Sequence, residues 1–314
     1  MIASAGRCGA DAACAGRRFG SNDPRIIVMS FTRVPGASMP APLTLELIQA
    51  TVQVEQPLGD GTRTVGTGFL IDDPTPDGRP RVVLVTAYHV FAKMPGPIAT
   101  IGFRIENADG SWRYDPEPLK IRDGAKELWT RHPDHDIAVI SIDAPPSFAK
   151  AAIPEGWLAG DDTFARYQVG PGDEMLALGF PEGLSANSAG FPILRAGKVA
   201  SFPLGPSDAF PTFLLDFNVF PGNSGGPVYV DESGRQAPGA DDGVPGGFIA
   251  GLLTQQVELG HQNLSIGIVT DARFVRETLT LLDHPDAVTQ VRQAGAAGAE
   301  APGLMSALDA ASAR

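Results

Sequence analysis

Three residues far apart in this chain could together carry out acyl transfer. Ser224 sits in Pro221-Gly222-Asn223-Ser224-Gly225-Gly226-Pro227, a run too rich in glycine and proline to be helical. Glycine lets a backbone approach a substrate closely and aim two N–H groups at one point, as a developing oxyanion requires. A serine hydroxyl is a weak nucleophile until a base takes its proton, and that base needs an orienting group. His89 follows the apolar run Arg81–Thr86, and Asp136 opens the apolar run Ile137–Ile142. The order is His89, Asp136, Ser224, with separations of 47 and 88 residues, so only the fold can bring them together.

The runs around these residues read as strands. A first set comprises Leu43–Glu55, Arg63–Ile71, Arg81–Thr86, Ile98–Ile105 and Ile137–Ile142. A second comprises Glu174–Phe180, Ile193–Phe202, Thr212–Phe217, Pro227–Val230, Gly247–Gln256 and Leu264–Thr270. Leu43-Thr44-Leu45-Glu46-Leu47 alternates with period two, which predicts a half-buried strand. Turn clusters such as 72–78 and 239–247 separate the runs. Many short strands with polar turns predict an all-β fold, and the two sets predict two antiparallel β-barrels. The first barrel is expected over 43–150 and the second over 151–283, with the join near 144–162. An N-terminal extension (1–42) and an Ala-rich tail (284–314) flank them. The clearest helix is Asp271–Leu282, where Phe274, Val275, Thr278, Leu279 and Leu282 share a face and Asp271 can cap the N-terminus.

Composition narrows the classes. The chain has 314 residues, 43% of them hydrophobic, with 37 Gly and 28 Pro, a mixture that suits turns and short strands. A net charge of −12 argues against a nucleic-acid surface. Cys8 and Cys14 both lie in the N-terminal extension, so the strand-bearing unit needs no disulfide, which suits a reducing compartment. Neither a signal peptide nor a membrane span is read, and a cytoplasmic location is the default expectation. His132, His135, His261 and His284 read as surface or turn residues without metal-ligand spacing.

Thr86-Ala87-Tyr88-His89, Asp136-Ile137-Ala138-Val139 and Gly222-Asn223-Ser224-Gly225-Gly226-Pro227 occur in that order, preceded by the weaker Gly66-Thr67-Gly68-Phe69-Leu70. On these motifs the chain resembles chymotrypsin-fold (trypsin-like) serine peptidases over residues 44 to 283. The similarity is to the bacterial type that includes glutamyl endopeptidases and high-temperature-requirement proteases, here without a PDZ domain. The resemblance implies a serine endopeptidase with a triad of His89, Asp136 and Ser224 and an oxyanion hole at Gly222 and Ser224. It implies a peptide or protein substrate, no cofactor and no metal. It also places Asn218, Thr254, Gln255 and Gly267 around the substrate, with Gly267 leaving a pocket wall open. Asn223 stands where animal relatives carry the aspartate that pairs with a new N-terminus, so no activation cleavage is expected. No carboxylate appears at the pocket base, and Leu253 stands where glutamyl endopeptidases have a histidine. An uncharged residue, small or apolar, is therefore the expected preference.

Two other readings remain at this point. One is a non-catalytic peptide-binding module on the same fold. The other is an α/β-hydrolase esterase, since Gly222-Asn223-Ser224-Gly225-Gly226 also fits a nucleophile elbow. That elbow turns from strand into helix, whereas Pro227-Val228-Tyr229-Val230 reads as strand.

Overall fold

Long β-branched and apolar runs form the first assembly of the computed structural model, which describes residues 43–231, 246–259 and 262–287. Its strands are β1 (Thr51–Pro57), β2 (Arg63–Asp72), β3 (Val82–Thr86), β4 (Ile98–Glu106), β5 (Trp112–Lys120), β8 (Thr130–Arg131) and β9 (Ala138–Ile142). They pair in the order β5-β4-β1-β2-β3-β9-β8. A two-stranded ribbon of β6 (Arg122–Asp123) and β7 (Lys126–Glu127) stands apart. Val83, Leu84 and Val85 are wholly buried, as befits β3 between β2 and β9 with both faces covered.

The second assembly is a closed barrel of β11 (Glu174–Gly179), β12 (Ile193–Val199), β13 (Thr212–Asp216), β14 (Pro227–Asp231), β15 (Gly247–Leu259) and β16 (Gln262–Asp271). Its order is β11-β12-β13-β16-β15-β14, and β14 closes on β11 through Tyr229 opposite Leu176. Closure leaves no edge strand to template association. The strand after Ser224 excludes the elbow of an α/β-hydrolase. Between the assemblies, α3 (Pro146–Ala151) leads into β10 (Ile153–Pro154), which runs parallel to the end of β2. Leu158 then bridges Ile249 of β15, so the connecting segment is tied to both assemblies. A further short helix, α4 (Thr163–Arg166), precedes the barrel.

Three elements depart from the sequence reading. The predicted strand at Leu43–Glu55 is a helix, α1 (Leu43–Ala50), running directly into β1. Leu43, Leu47 and Ala50 are buried at i, i+4 and i+7 while Leu45 is 51% exposed, so the helical period governs this segment. A leucine at every second position satisfies both periods over five residues, and packing on the core decides. β5 has no counterpart in the reading because Pro116, Pro118 and its charges disguise it. It lies at a sheet edge, where proline is tolerated. The third is α2 (Tyr88–Ala92), which turns the chain out of β3.

The C-terminal helix α5 (Ala272–Asp283) follows the expected pattern: Phe274, Val275, Thr278 and Leu279 are buried, joined by Leu281 rather than Leu282. Asp271 accepts the Arg273 N–H at 2.8 Å and so caps it. Its far end is clamped to the histidine strand, since Arg81 donates to both oxygens of Asp283 at 2.6 and 2.8 Å. No helix among the described residues is long and apolar enough to cross a membrane. Cys8, Cys14, His261, the extension and most of the Ala-rich tail lie outside the described residues.

Candidate active site

The serine loop is shaped by positive φ at two glycines. Gly222 (φ +93°) and Gly225 (φ +91°) occupy backbone conformations that side chains resist. A Cβ on either would fall 2.2 Å from the Phe180 carbonyl or 2.0 Å from the Thr67 carbonyl. The N–H groups of Asn223, Gly225 and Gly226 are bonded to the carbonyls of Phe220, Leu253 and Asn223 at 3.0, 2.8 and 3.0 Å. Those of Gly222 and Ser224 make no hydrogen bond among the described residues. The loop thus keeps two backbone donors without a partner among the described residues, the kind of group that can hold an oxyanion.

Thr67 on β2 ties this loop to the first assembly. Its hydroxyl donates to the Gly222 carbonyl at 2.6 Å and accepts the Phe180 N–H at 3.1 Å, and its own N–H donates to the Ser224 carbonyl at 2.9 Å. Thr86, three residues before His89, donates back to the Thr67 carbonyl at 2.7 Å. The Gly66-Thr67-Gly68 motif therefore joins the serine loop to the histidine strand. Nothing local in the motif signals this role, because its partners lie 19 and 155 residues away. Thr67→Val keeps the shape but strands a buried donor and a buried acceptor, at a cost of about 2 kcal/mol. A lowered denaturation midpoint is expected, with slower reaction of Ser224 towards a fluorophosphonate.

His89 lies on α2, and Asp136 lies on the turn before β9. Asp136 holds the histidine at two points: Oδ2 is 2.6 Å from Nδ1 and Oδ1 accepts the His89 backbone N–H at 2.9 Å. A carboxylate only accepts, so Nδ1 carries the proton and Nε2 presents a lone pair. The two side chains are 25% and 24% exposed. His89 and Ser224 line one cleft of about 780 Å³. In this state the Ser224 hydroxyl donates to the Thr254 carbonyl at 3.2 Å.

The other expected substrate residues divide. Thr254 and Gln255 line the cleft, whereas Asn218 and Gly267 do not. Asn218 lies in the loop after β13, exposed between buried Phe217 and Val219, so its side chain faces away from the core. At Gly267 the space is filled rather than open: a Cβ there would meet Phe217 at 2.8 Å and Val219 at 3.0 Å. Val219, Phe220, Val257 and Ile268 supply an apolar wall instead, and among the described residues no Asp or Glu lines the cleft.

Two histidines read as surface residues turn out to brace the Asp136 turn. His132 is 4% exposed, and its Nδ1 accepts the N–H groups of Asp134 and His135 at 3.1 and 3.0 Å. Its proton is therefore on Nε2, which donates to Glu277 of α5 at 3.2 Å. His135 stacks on Phe274 with ring centroids 3.8 Å apart. Among the described residues no cluster suits a metal ion.

Burial first, and the neighbouring His132 second, push the His135 pKa down from 6.5 to about 4. The unfolded chain then takes up a proton near pH 6.5 that the folded one refuses until about pH 4, so this group's stabilisation is lost as pH falls through that window, by about 3 kcal/mol. Asp271 opposes it: burial raises its pKa from 3.8 to about 6, so its folded form gains stability on acidification over much the same range. His135→Phe removes one side of this balance. Relative to the wild type, its unfolding free energy is expected to rise by about 3 kcal/mol between pH 7 and pH 4, measured by denaturant titration.

An antiparallel barrel beside a second, mainly antiparallel sheet, with a helix-borne histidine, a turn aspartate and a loop serine placed along one cleft, defines a chymotrypsin-like fold. The chain belongs to the family with a trypsin-like peptidase domain, whose model matches residues 66–236. No sequence among the curated proteins matches it. Among solved structures it is similar to the HtrA-type protease AlgW with a tripeptide, at 17% identity and a TM-score of 0.48, covering 77% of this chain and 63% of that one. AlgW with a decapeptide matches at 17% identity and a TM-score of 0.46, covering 77% and 66%. The chain therefore spans less than two thirds of the length of these structures.

Proposed function

We propose that the protein is a serine endopeptidase working through His89, Asp136 and Ser224 and a covalent acyl-enzyme. The supporting observation is the two-point hold of Asp136 on His89, with the Nε2 lone pair left available in the cleft that Ser224 also lines. Rotation of the Ser224 hydroxyl from the Thr254 carbonyl towards Nε2 readies it for attack on a peptide carbonyl. Nε2 takes the hydroxyl proton as Oγ bonds to the carbon, and the oxyanion is held by the N–H groups of Gly222 and Ser224. The imidazolium, stabilised by Asp136, gives that proton to the departing amine as the C–N bond breaks. A water molecule, deprotonated by the same nitrogen, then bonds to the acyl carbon, and Nε2 returns that proton to Ser224 Oγ as the ester C–O bond breaks and the acid leaves. The substrate chain before the scissile bond lies along Thr254–Gln256, and the apolar wall without carboxylates favours an uncharged residue there.

A peptide-binding module without turnover is the second reading, favoured by the Ser224 hydrogen bond to Thr254 rather than to His89. A serine-directed fluorophosphonate separates the two. Adduct formation on Ser224, located by mass spectrometry and lost in His89→Ala, is the outcome expected of an activated nucleophile. Folded protein that forms no adduct would favour the binding module.

A further inference from the structure

The cleft is asymmetric in charge. Among the described residues its lining includes Arg63 and Lys93 but no carboxylate, in a chain whose net charge is −12. Lys93 sits on the His89 side, and Arg63 is linked to it through the neighbouring Thr64. Lys93 lies one helical turn beyond the histidine, its N–H bonded to the His89 carbonyl at 3.1 Å. Thr64, next to Arg63, donates its hydroxyl to the Lys93 carbonyl at 3.2 Å, so the two cationic positions are joined through the backbone. Lys93 is exposed and makes no ion pair among the described residues.

Arg63 is seated rather than loose. It donates to Glu55 at 2.7 Å, and its guanidinium fills the place a side chain at Gly183 would take, 2.5 Å from an added Cβ. It thereby borders a second hollow of about 300 Å³, lined also by Glu55, Tyr114, Ser185, Asn187 and Ser188. Glu55 is the one carboxylate in that lining and is already engaged by Arg63, leaving a surplus positive charge from Lys93.

Which part of a substrate meets these cations follows from proton transfer. His89 hands its proton to the leaving amine, so the residues after the scissile bond depart on the histidine side, away from the β15 backbone. Three extended residues span about 10 Å, more than the helical turn of about 5.4 Å that separates His89 from Lys93. Resting on the peptidase reading above, we infer that the enzyme prefers substrates with aspartate or glutamate within the first three residues after the cleaved bond. Arg63 and Lys93 would be the specificity-determining residues. Local positive potential in a cleft raises capture of such segments even when the whole molecule is acidic.

The test uses the full chain and fluorogenic peptides, built on a sequence that a library shows to be cleaved. These carry Asp, Ala or Lys at each of the three positions after the bond. The Asp peptides are expected to exceed the Ala peptides about fivefold in kcat/KM per cation engaged, and the advantage should shrink at 1 M salt. Lys93→Gln and Arg63→Gln should each lower the Asp-to-Ala ratio, and Lys93→Glu should invert it towards Lys. An Asp-to-Ala ratio near one in the wild type would overturn the inference. So would a ratio unmoved in the Lys93→Gln, Arg63→Gln double variant, or an equal gain from acids placed before the bond. Each of these outcomes presupposes cleavage and labelling of Ser224; a folded protein lacking both would instead overturn the peptidase reading itself.

Discussion

Asp136→Asn is expected to lower kcat for peptide hydrolysis by about 10⁴-fold while leaving the protein folded, the size seen when a serine-protease triad loses its carboxylate. The geometry supplies the reason. One Asp136 oxygen takes the His89 backbone N–H and the other faces Nδ1. A backbone N–H cannot become an acceptor, so the asparagine oxygen must stay with it. Its NH₂ then donates to Nδ1, which forces the ring proton onto Nε2, the atom that has to accept the Ser224 proton. The variant keeps both contacts and loses the base. Turnover by the variant, set beside its melting temperature, checks this, and hydrolysis at the normal rate would remove Asp136 from the role of orienter.

The parts of this site that sequence made legible are those written in contiguous residues. A short, β-branched apolar run bounded by turn residues favours a strand over a helix, so His89 and Asp136 could be placed at strand ends, and a glycine-bracketed serine could be placed in a loop. The outward turn of Asn218 and the filled space beside Gly267 were not legible, because they depend on which neighbours pack into a barrel. The same holds for Thr67, Glu277 and His132. A threonine in a strand, a helical glutamate and a histidine in a turn carry no local sign that they meet across separations of over a hundred residues. The helix at Leu43–Ala50 was misread for a related reason. Its leucines fit two periods, and what decides is their packing on the core, with Arg104 of β4 holding the helix end.

That arginine underlies the largest expected effect on stability: Arg104→Met should destabilise the fold by about 4 kcal/mol. α1 ends without a glycine cap and runs straight into β1, so its last carbonyls need partners from elsewhere. Thr51 donates its hydroxyl to the Leu47 carbonyl at 2.7 Å. Arg104, wholly buried, donates to the carbonyls of Ile48, Gln49 and Thr51 at 3.2, 2.7 and 2.9 Å, and to that of Gly190 at 3.0 Å. Its guanidinium also lies 5.1 Å from the Phe148 ring and 4.9 Å from the Phe191 ring. Burial is costly for the cation and pulls its pKa from 12.5 down to about 10, a penalty of roughly 3 kcal/mol that methionine would relieve. Against that relief stand four carbonyls left facing an apolar side chain, at about 1–3 kcal/mol each. Loss exceeds gain, because a cation at a helix C-terminus also answers the helix dipole. Arg104→Lys should recover only part of the loss, since an ammonium has three donors and no planar face to lie against two rings. Denaturant midpoints at unchanged slope for the two variants would measure both claims. A methionine variant as stable as the wild type would show that the end of α1 is held by the core alone.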